Sequence, residues 1–312
     1  MVSIKEVSMN AKMIAVAAAA LLLMAGCGQQ ASTGRPPGGA RAQVITIKGS
    51  DTMVILCQRW AETYMHHKPG VTVQVTGGGS GTGIAALING GTDICAASRP
   101  MKDKEKVQIK TKHGKDASEI SVALDGLTVY VNESNPVEQL SLSALDLIYR
   151  AQTTDWKDVG APHPSLSPGG RGWGEGAGKI VCYGRENSSG TYAYFKEHVL
   201  KDKDFATEVQ SLPGTAAIIN AVMKDKSAIG YGGKGYAAKG VKIVPICAKD
   251  GEKGILPTIE NVVSNTYPIS RSLFFYTVGQ PGGEVKVFVE WVLGDEGQKV
   301  CDQVGYYPLP KK

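Results

Sequence analysis

The stretch Tyr183-Gly184-Arg185-Glu186-Asn187-Ser188-Ser189-Gly190-Thr191-Tyr192 limits the fold of this chain more than any other. It follows an apolar run at residues 179–182 that reads as a buried strand, and it precedes Tyr192, Phe195 and Val199, which recur at helical spacing. Its glycine and hydroxyl residues therefore lie where a strand turns into a helix. Such a turn directs backbone N–H groups, hydroxyls and the positive end of a helix dipole toward one point, which suits an oxyanion. Arg185 adds a planar fork of donors. A simpler reading is that Ser188 or Ser189 only caps the helix.

Two further stretches repeat the pattern. Gly49-Ser50-Asp51-Thr52-Met53 follows the alternating run 44–47 and opens a helix with Met53, Leu56, Trp60 and Tyr64 on one face. Thr76-Gly77-Gly78-Gly79-Ser80-Gly81-Thr82-Gly83 follows alternating Val71, Val73 and Val75 and enters a short apolar helix at 84–88. Three such turns predict helix amino ends converging on one anion.

At 312 residues, 42% hydrophobic and 20% charged, the chain has room for two lobes. A net charge of +5 without a dense Lys/Arg stripe argues against nucleic acid and is compatible with small anions arriving by diffusion. At the amino end, Lys5 and Lys12 precede an apolar run from Met13 to Met24, which ends in Ala25-Gly26-Cys27. The run is too short to span a bilayer, so residues 1–26 read as a secretory signal, with Met9 or Met13 as other starts. Residues 27–42, rich in Ser, Gly and Pro, read as a flexible tether.

Cys57, Cys95, Cys182, Cys247 and Cys301 form no C-x-x-C pair and read as buried thiols, with one disulfide as an alternative. The histidines form no H-x-x-x-H pattern, so neither a metal nor a cofactor is expected.

Strand and helix patterns alternate along the rest of the chain, predicting an α/β architecture with parallel sheets. Runs 120–124 and 127–131, split by Asp125-Gly126, read as one irregular strand or as two. Ser143 reads as the cap of a helix holding Leu145, Ile148 and Tyr149, and residues 241–247 as one strand. Residues 160–178 are dominated by Pro and Gly and read as a surface loop inserted outside the site.

The glycine turn at 77–83 lacks the Lys-Ser/Thr ending of a P-loop and the G-x-G-x-x-G spacing. There is no G-x-S-x-G elbow, and no His is placed as a base for either serine, so no catalytic residue is assigned.

In this order, the motifs G-S-D-T-M, T-G-G-G-S-G-T-G-I, A-S-R-P, Y-G-R-E-N-S-S-G-T-Y, Ala228-Ile229-Gly230-Tyr231 and Tyr267-Pro268-Ile269-Ser270-Arg271 resemble the PstS-type substrate-binding proteins of ABC-type phosphate importers. The ending Met24-Ala25-Gly26-Cys27 likewise resembles a lipoprotein lipobox, which implies lipidation of Cys27. The first resemblance implies a two-lobed type II periplasmic-binding-protein fold with a ligand cleft between the lobes. Residues 43–125 and 256–312 would form lobe one, and residues 126–255 lobe two. It implies an extracytoplasmic, lipid-anchored monomer that captures inorganic phosphate by closing and presents it to a membrane permease.

The candidate phosphate-binding residues are Ser50, Asp51, Thr52, Met53, Ser80, Ser98, Arg99, Arg185, Ser188, Ser189, Gly190 and Thr191, and the resemblance carries roles onto those that match its motifs. Thr52 would give a hydroxyl, Met53 an amide and Ser80 a hydroxyl, while Arg185, Ser189, Gly190 and Thr191 match R-x-x-G-S-G-T with a spacing ambiguity at Ser188. Better-known members carry A-S-D where this chain has Ala97-Ser98-Arg99. Their aspartate accepts the ligand's proton and so separates hydrogen phosphate from sulfate. Asp51 is the substitute acceptor, unless it only makes local hydrogen bonds at a helix start. Arg99 is a cleft donor, or else a surface or inter-lobe ion-pair residue. Other oxyanions (sulfate, molybdate, a phosphonate) and a secreted phosphatase built on the same cleft are the alternative functions.

Overall fold

The computed structural model describes residues 43–159 and 178–310. The signal, the tether, Cys27 and all but the last residue of the Pro/Gly segment lie outside this range. In chain order the elements are β1 (Gln43–Gly49), α1 (Val54–His67), β2 (Val71–Thr76), α2 (Ser80–Asn89), β3 (Ile94–Ala97), α3 (Asp103–His113) and β4 (Ala117–Asn132). There follow β5 (Leu140–Ser141), α4 (Leu142–Tyr149), β6 (Val181–Arg185), α5 (Gly190–His198), β7 (Gln210–Leu212), α6 (Gly214–Lys224) and β8 (Ala228–Gly233). The chain ends with β9 (Val241–Ile243), β10 (Ile246–Cys247), α7 (Ile259–Val263), β11 (Ser270–Val278), α8 (Gly283–Leu293) and α9 (Asp295–Gln303).

Two βαβαβ units share one topology. In the first, β1 lies between β2 and β3 and is parallel to both. In the second, β6 lies between β7 and β8 and is again parallel to both. Each unit thus has a point at which successive crossovers run to opposite sides of its first strand, and ligands in such sheets bind at the carboxyl ends there.

The sheet is mixed, which corrects the expectation of parallel sheets. β4 and β11 run antiparallel to each other, β11 is antiparallel to β3, and β4 is antiparallel to β8. Strand identity is readable from apolar runs, but direction depends on which neighbours a run meets. β4 is one strand: residues 117–126 pair with β11 and residues 127–131 with β8, so it hands over from one unit to the other at Gly126/Leu127. The irregularity is on β4 itself but not at Asp125-Gly126: Leu273 and Phe274 of β11 pair with Ala123 and Ser121, which leaves Val122 as the extra residue.

Apolar periodicity becomes burial. Met53, in the 3-10 turn that leads into α1, and Leu56, Trp60 and Tyr64 on one face of α1 are all buried and pack with Ile45, Ile47, Phe275 and Phe288. The Trp60 indole donates to the Gly297 carbonyl at 2.7 Å and docks α9 onto this core. In the second unit Phe195, Tyr149 and Tyr231 form the corresponding aromatic centre.

Two local expectations are corrected. Ser141, not Ser143, caps α4, accepting from the Ala144 amide at 3.0 Å, while the Ser143 hydroxyl donates to Asp250. The run 241–247 breaks at Pro245, which has no N–H to continue a ladder; β9 pairs with β4, and β10 with β5. Cys57, Cys95, Cys182, Cys247 and Cys301 are free thiols, and burial pushes those of Cys95, Cys182 and Cys301 up to about 12.

Candidate oxyanion site between the two sheet units

The turns that leave β1, β2 and β3 meet the turn that leaves β6. Gly49 opens the first with φ +147°, and a side chain there would press its Cβ to 2.1 Å from the Ala96 carbonyl oxygen. That contact lets the Ser50 amide donate to the same oxygen at 2.8 Å, drawing the β1 turn onto the end of β3. The Ser50 hydroxyl then donates to Ser98 Oγ at 3.0 Å, and Ser98 Oγ lies 3.4 Å from Ser80 Oγ. All three serines are buried.

The glycine turn is shaped by the other unit. Gly79 has φ +92°, and a Cβ there would lie 2.6 Å from the Ser188 carbonyl oxygen. The Gly81 amide donates to that oxygen at 2.9 Å. Gly190 is equally constrained, since a Cβ would fall 2.3 Å from Ser80 Oγ and 2.8 Å from Ser98 Oγ. The glycines in both motifs therefore permit close approach of the two units.

The turns after β1 and β6, equivalent strands of the two units, face each other directly. Thr52 Oγ1 and Thr191 Oγ1 are hydrogen-bonded at 2.7 Å, and both residues are buried. Ser189 caps α5, accepting from the Thr191 and Tyr192 amides at 3.1 and 3.3 Å. The simpler reading of this serine therefore describes its oxygen. Its hydroxyl proton is a separate donor. Ser188 contributes its carbonyl to the Gly81 amide, and its residue is half-buried.

Arg185 is a buried cation of this region. Nη2 donates to Asp51 Oδ2 at 3.0 Å and Nη1 to Thr215 Oγ1 at 2.8 Å, while buried Nε has no hydrogen-bond partner. Burial draws the guanidinium below its ordinary value and the Asp51 carboxylate opposes that shift. Asp51 also accepts the Gly78 amide at Oδ1, 2.7 Å away, so both of its oxygens are engaged, although a carboxylate has lone pairs for further donors. Tyr236 donates to the Asp51 carbonyl at 2.5 Å and Tyr306 to that of Thr52, fixing the backbone from outside.

Two predicted binders are placed elsewhere. Arg99 is engaged in an ion pair: its Nη1 donates to Glu105 Oε2 and the Pro100 carbonyl at 2.9 and 2.8 Å, and Nη2 to Glu105 Oε1 at 2.8 Å. Burial alone would raise the Glu105 carboxyl, but hydrogen bonds from Arg99 and the Lys102 amide outweigh it and hold the pKa below the ordinary range. Met53 is likewise engaged. Its amide donates to the Ser50 carbonyl at 3.0 Å, closing the 3-10 turn, and its side chain is core.

Three residues escaped the sequence reading. Thr215 lies in the first turn of α6 after β7, as Ser80 lies in the first turn of α2 after β2. Pro213-Gly214 could have marked that turn, but β7 is three residues of weak apolar character. Asp125 and Arg271, on β4 and β11, are buried and ion-paired across the register, and Arg271 Nη2 also donates to Thr191 Oγ1 at 3.0 Å. No spacing signal along the chain joins residues so far apart.

The arrangement can hold an oxyanion through hydroxyls, a partly free guanidinium and the amino ends of α2, α5 and α6. Each cation already has its own carboxylate, so dipoles and hydrogen bonds carry much of the attraction. No cluster of three or more His, Cys, Asp or Glu side chains suited to a metal occurs among the described residues.

Residues 31–296 match the model of a PBP superfamily domain. The phosphate-binding protein PstS of Pseudomonas aeruginosa is 34% identical over 281 residues, covering 86% of this chain and 84% of the relative. PstS of Staphylococcus saprophyticus is 32% identical over 304 residues, covering 96% and 89%. Among solved structures, an ABC-type phosphate transport receptor of Vibrio cholerae superposes with a TM-score of 0.64 at 27% identity, covering 85% of this chain and all of that one. A phosphate-bound chain assigned as a phosphate ABC transporter substrate-binding protein, from Clostridium perfringens, gives 0.73 at 27% identity, covering 86% and 100%. With two parallel units joined through β4 and β11 and their Ser/Thr turns face to face, the chain belongs to the PBP superfamily and, within it, to the PstS-type phosphate-binding proteins.

Proposed function

We propose that this protein captures inorganic phosphate between its two sheet units outside the cytoplasm and delivers it to an ABC-type importer. The observation that carries the reading is the meeting of the turns after β1 and β6, Thr52 with Thr191, beside a buried Arg185 whose Nε is unpartnered. Ser50, Asp51, Ser80, Ser98, Ser188, Ser189 and Gly190 complete the proposed binding set, with residues 43–125 and 256–312 moving against residues 126–255. Phosphate docks on one unit, and closure of the other completes the hydrogen-bond shell and excludes water. Exclusion of water strengthens every charge-assisted bond in the shell. Asp51 accepts the ligand's proton and disfavours sulfate, which has none.

The protein acts as a binder rather than an enzyme. The hydroxyls of Ser50, Thr52, Ser80, Ser98, Ser189 and Thr191 hydrogen-bond to one another, to backbone amides and to Arg271. None of these groups takes a proton at neutral pH, so a serine nucleophile would lack its base. Cys27 carries the lipid anchor, and the chain works as a monomer that presents its closed form to the permease.

Isothermal titration of residues 28–312, stripped of anion, with phosphate and sulfate at one acidic and one alkaline pH tests the reading. One-to-one phosphate binding with no sulfate heat is expected. Equal binding of sulfate would remove Asp51 as proton acceptor, and silence toward both would overturn phosphate capture.

A further inference from the structure

The Asp125–Arg271 pair sits where the two units join. Asp125 precedes the Gly126/Leu127 handover of β4 by one residue, and Arg271 is its register partner on β11. Arg271 Nε and Nη2 both donate to Asp125 Oδ2, at 3.0 and 2.7 Å. The same guanidinium reaches in two other directions. Nη1 donates to the Ser98 carbonyl in the turn after β3 at 3.1 Å, and Nη2 donates to Thr191 Oγ1 at the amino end of α5 at 3.0 Å. The Tyr194 ring lies 5.2 Å from the guanidinium carbon and its hydroxyl donates to the Ser270 carbonyl at 2.6 Å, holding the preceding residue of β11.

We propose that Arg271 is a positioning residue for oxyanion capture: anchored by Asp125 at the strand handover, it ties the Ser98 turn to Thr191 when the two units close. The inference rests on the phosphate reading above and deepens it. Because an arginine only donates, Thr191 Oγ1 spends a lone pair on Arg271 and keeps its proton. Thr191 and Thr52 have two hydroxyl protons between them and use one in their mutual bond, so one remains to donate to an anion whichever way that bond runs. Arg271 thereby holds the threonine pair through a lone pair and leaves its spare proton for the anion. The Ser98 carbonyl belongs to the first unit and Thr191 to the second, so both contacts exist together only when the units are close. A lysine keeps the charge opposite Asp125 but lacks a planar fork that reaches three acceptors.

The test uses the full mature chain with inorganic phosphate as probe, and two variants: Arg271→Lys, and the double variant Asp125→Asn with Arg271→Gln. Stoichiometry, association and dissociation rates and the melting temperature are read for each. Both variants are expected to bind one phosphate, with release faster by about tenfold or more and association little changed, because losing contacts of the closed state acts on dissociation. The double variant, free of an unpaired buried charge, is expected to melt near the parent and still release quickly. If Arg271→Lys does not fold, the double variant carries the test. Parental release rates in a folded variant overturn the inference, as does reduced stoichiometry at an unchanged rate, which marks a purely structural pair. A parent protein that binds no phosphate overturns the function on which the inference rests, an outcome distinct from phosphate binding by a parent whose variants behave alike.

Discussion

The turn after β3 and the end of β6 each bury an arginine beside a carboxylate, and they do opposite things with it. Arg99 meets Glu105 six residues away and gives both terminal nitrogens to that carboxylate, with a further bond to the adjacent Pro100 carbonyl. Its pair ties a turn to the start of α3, where Glu105 also accepts the Lys102 amide at 2.7 Å. Arg185 meets Asp51 across 134 residues, gives that carboxylate one nitrogen, gives Thr215 a second, and leaves Nε without a partner. An unpartnered buried donor is costly, and a ligand oxygen would offset that cost. A satisfied local fork stabilises its own segment, whereas an incompletely satisfied fork between two units is available for binding.

That contrast is sharpest in phosphate affinity. Arg185→Met removes the cation and strands Asp51, and with charge-assisted bonds contributing about 1.5–3 kcal/mol each, affinity should fall on the order of a thousandfold by titration calorimetry. Survival of tight binding would break the distinction between the two arginines. Gly190→Ala should have a smaller effect. Its Cβ would fall 2.3 Å from Ser80 Oγ, so closure is strained by about 1–3 kcal/mol and affinity drops roughly ten- to hundredfold. The melting temperature of the phosphate-free protein, measured alongside, should move less than the affinity does.

Arg99→Gln should have the smallest effect on binding, within about twofold, while lowering stability by about 1–3 kcal/mol through the loss of a partly buried charged pair. The stability loss should depend on pH in a definite sense. The Glu105 carboxyl is held below its ordinary value, so the pair contributes fully above the unfolded-state value of about 4.3 and is lost as the pH falls through the folded-state value. Urea denaturation should therefore separate parent and variant near neutrality and draw them together in acid. A gap that widens in acid would contradict the assigned pairing, and a tenfold loss of phosphate affinity would return Arg99 to the ligand.

Much of the scaffold was legible because its signals are local. Leu56, Trp60 and Tyr64 share one face of α1 by helical period alone, and a Ser/Thr/Gly turn between strand and helix produces the same local geometry wherever it occurs. Ser141 and Ser143, two residues apart, show where local reading loses resolution: both suit a cap, and only backbone geometry chooses Ser141. Arg99 and Met53 show a further loss. Each stands in a motif expected to serve an anion, yet one side chain is saturated by Glu105 and one amide by the Ser50 carbonyl.

The sequence by itself determined the alternation of strands and helices, the positions of the three hydroxyl-rich turns and membership of a binding-protein family, because these depend on periodicity and on motif order along the chain. Only the tertiary structure decided which polar groups face one another. Thr52 meets Thr191 across 139 residues, and Arg271 meets Asp125 across 146. Such pairs follow from the mixed strand order and from the handover of β4 between the units, which fix the approach of distant side chains. Whether a guanidinium is already satisfied is a property of that approach, and residue type at one position does not contain it.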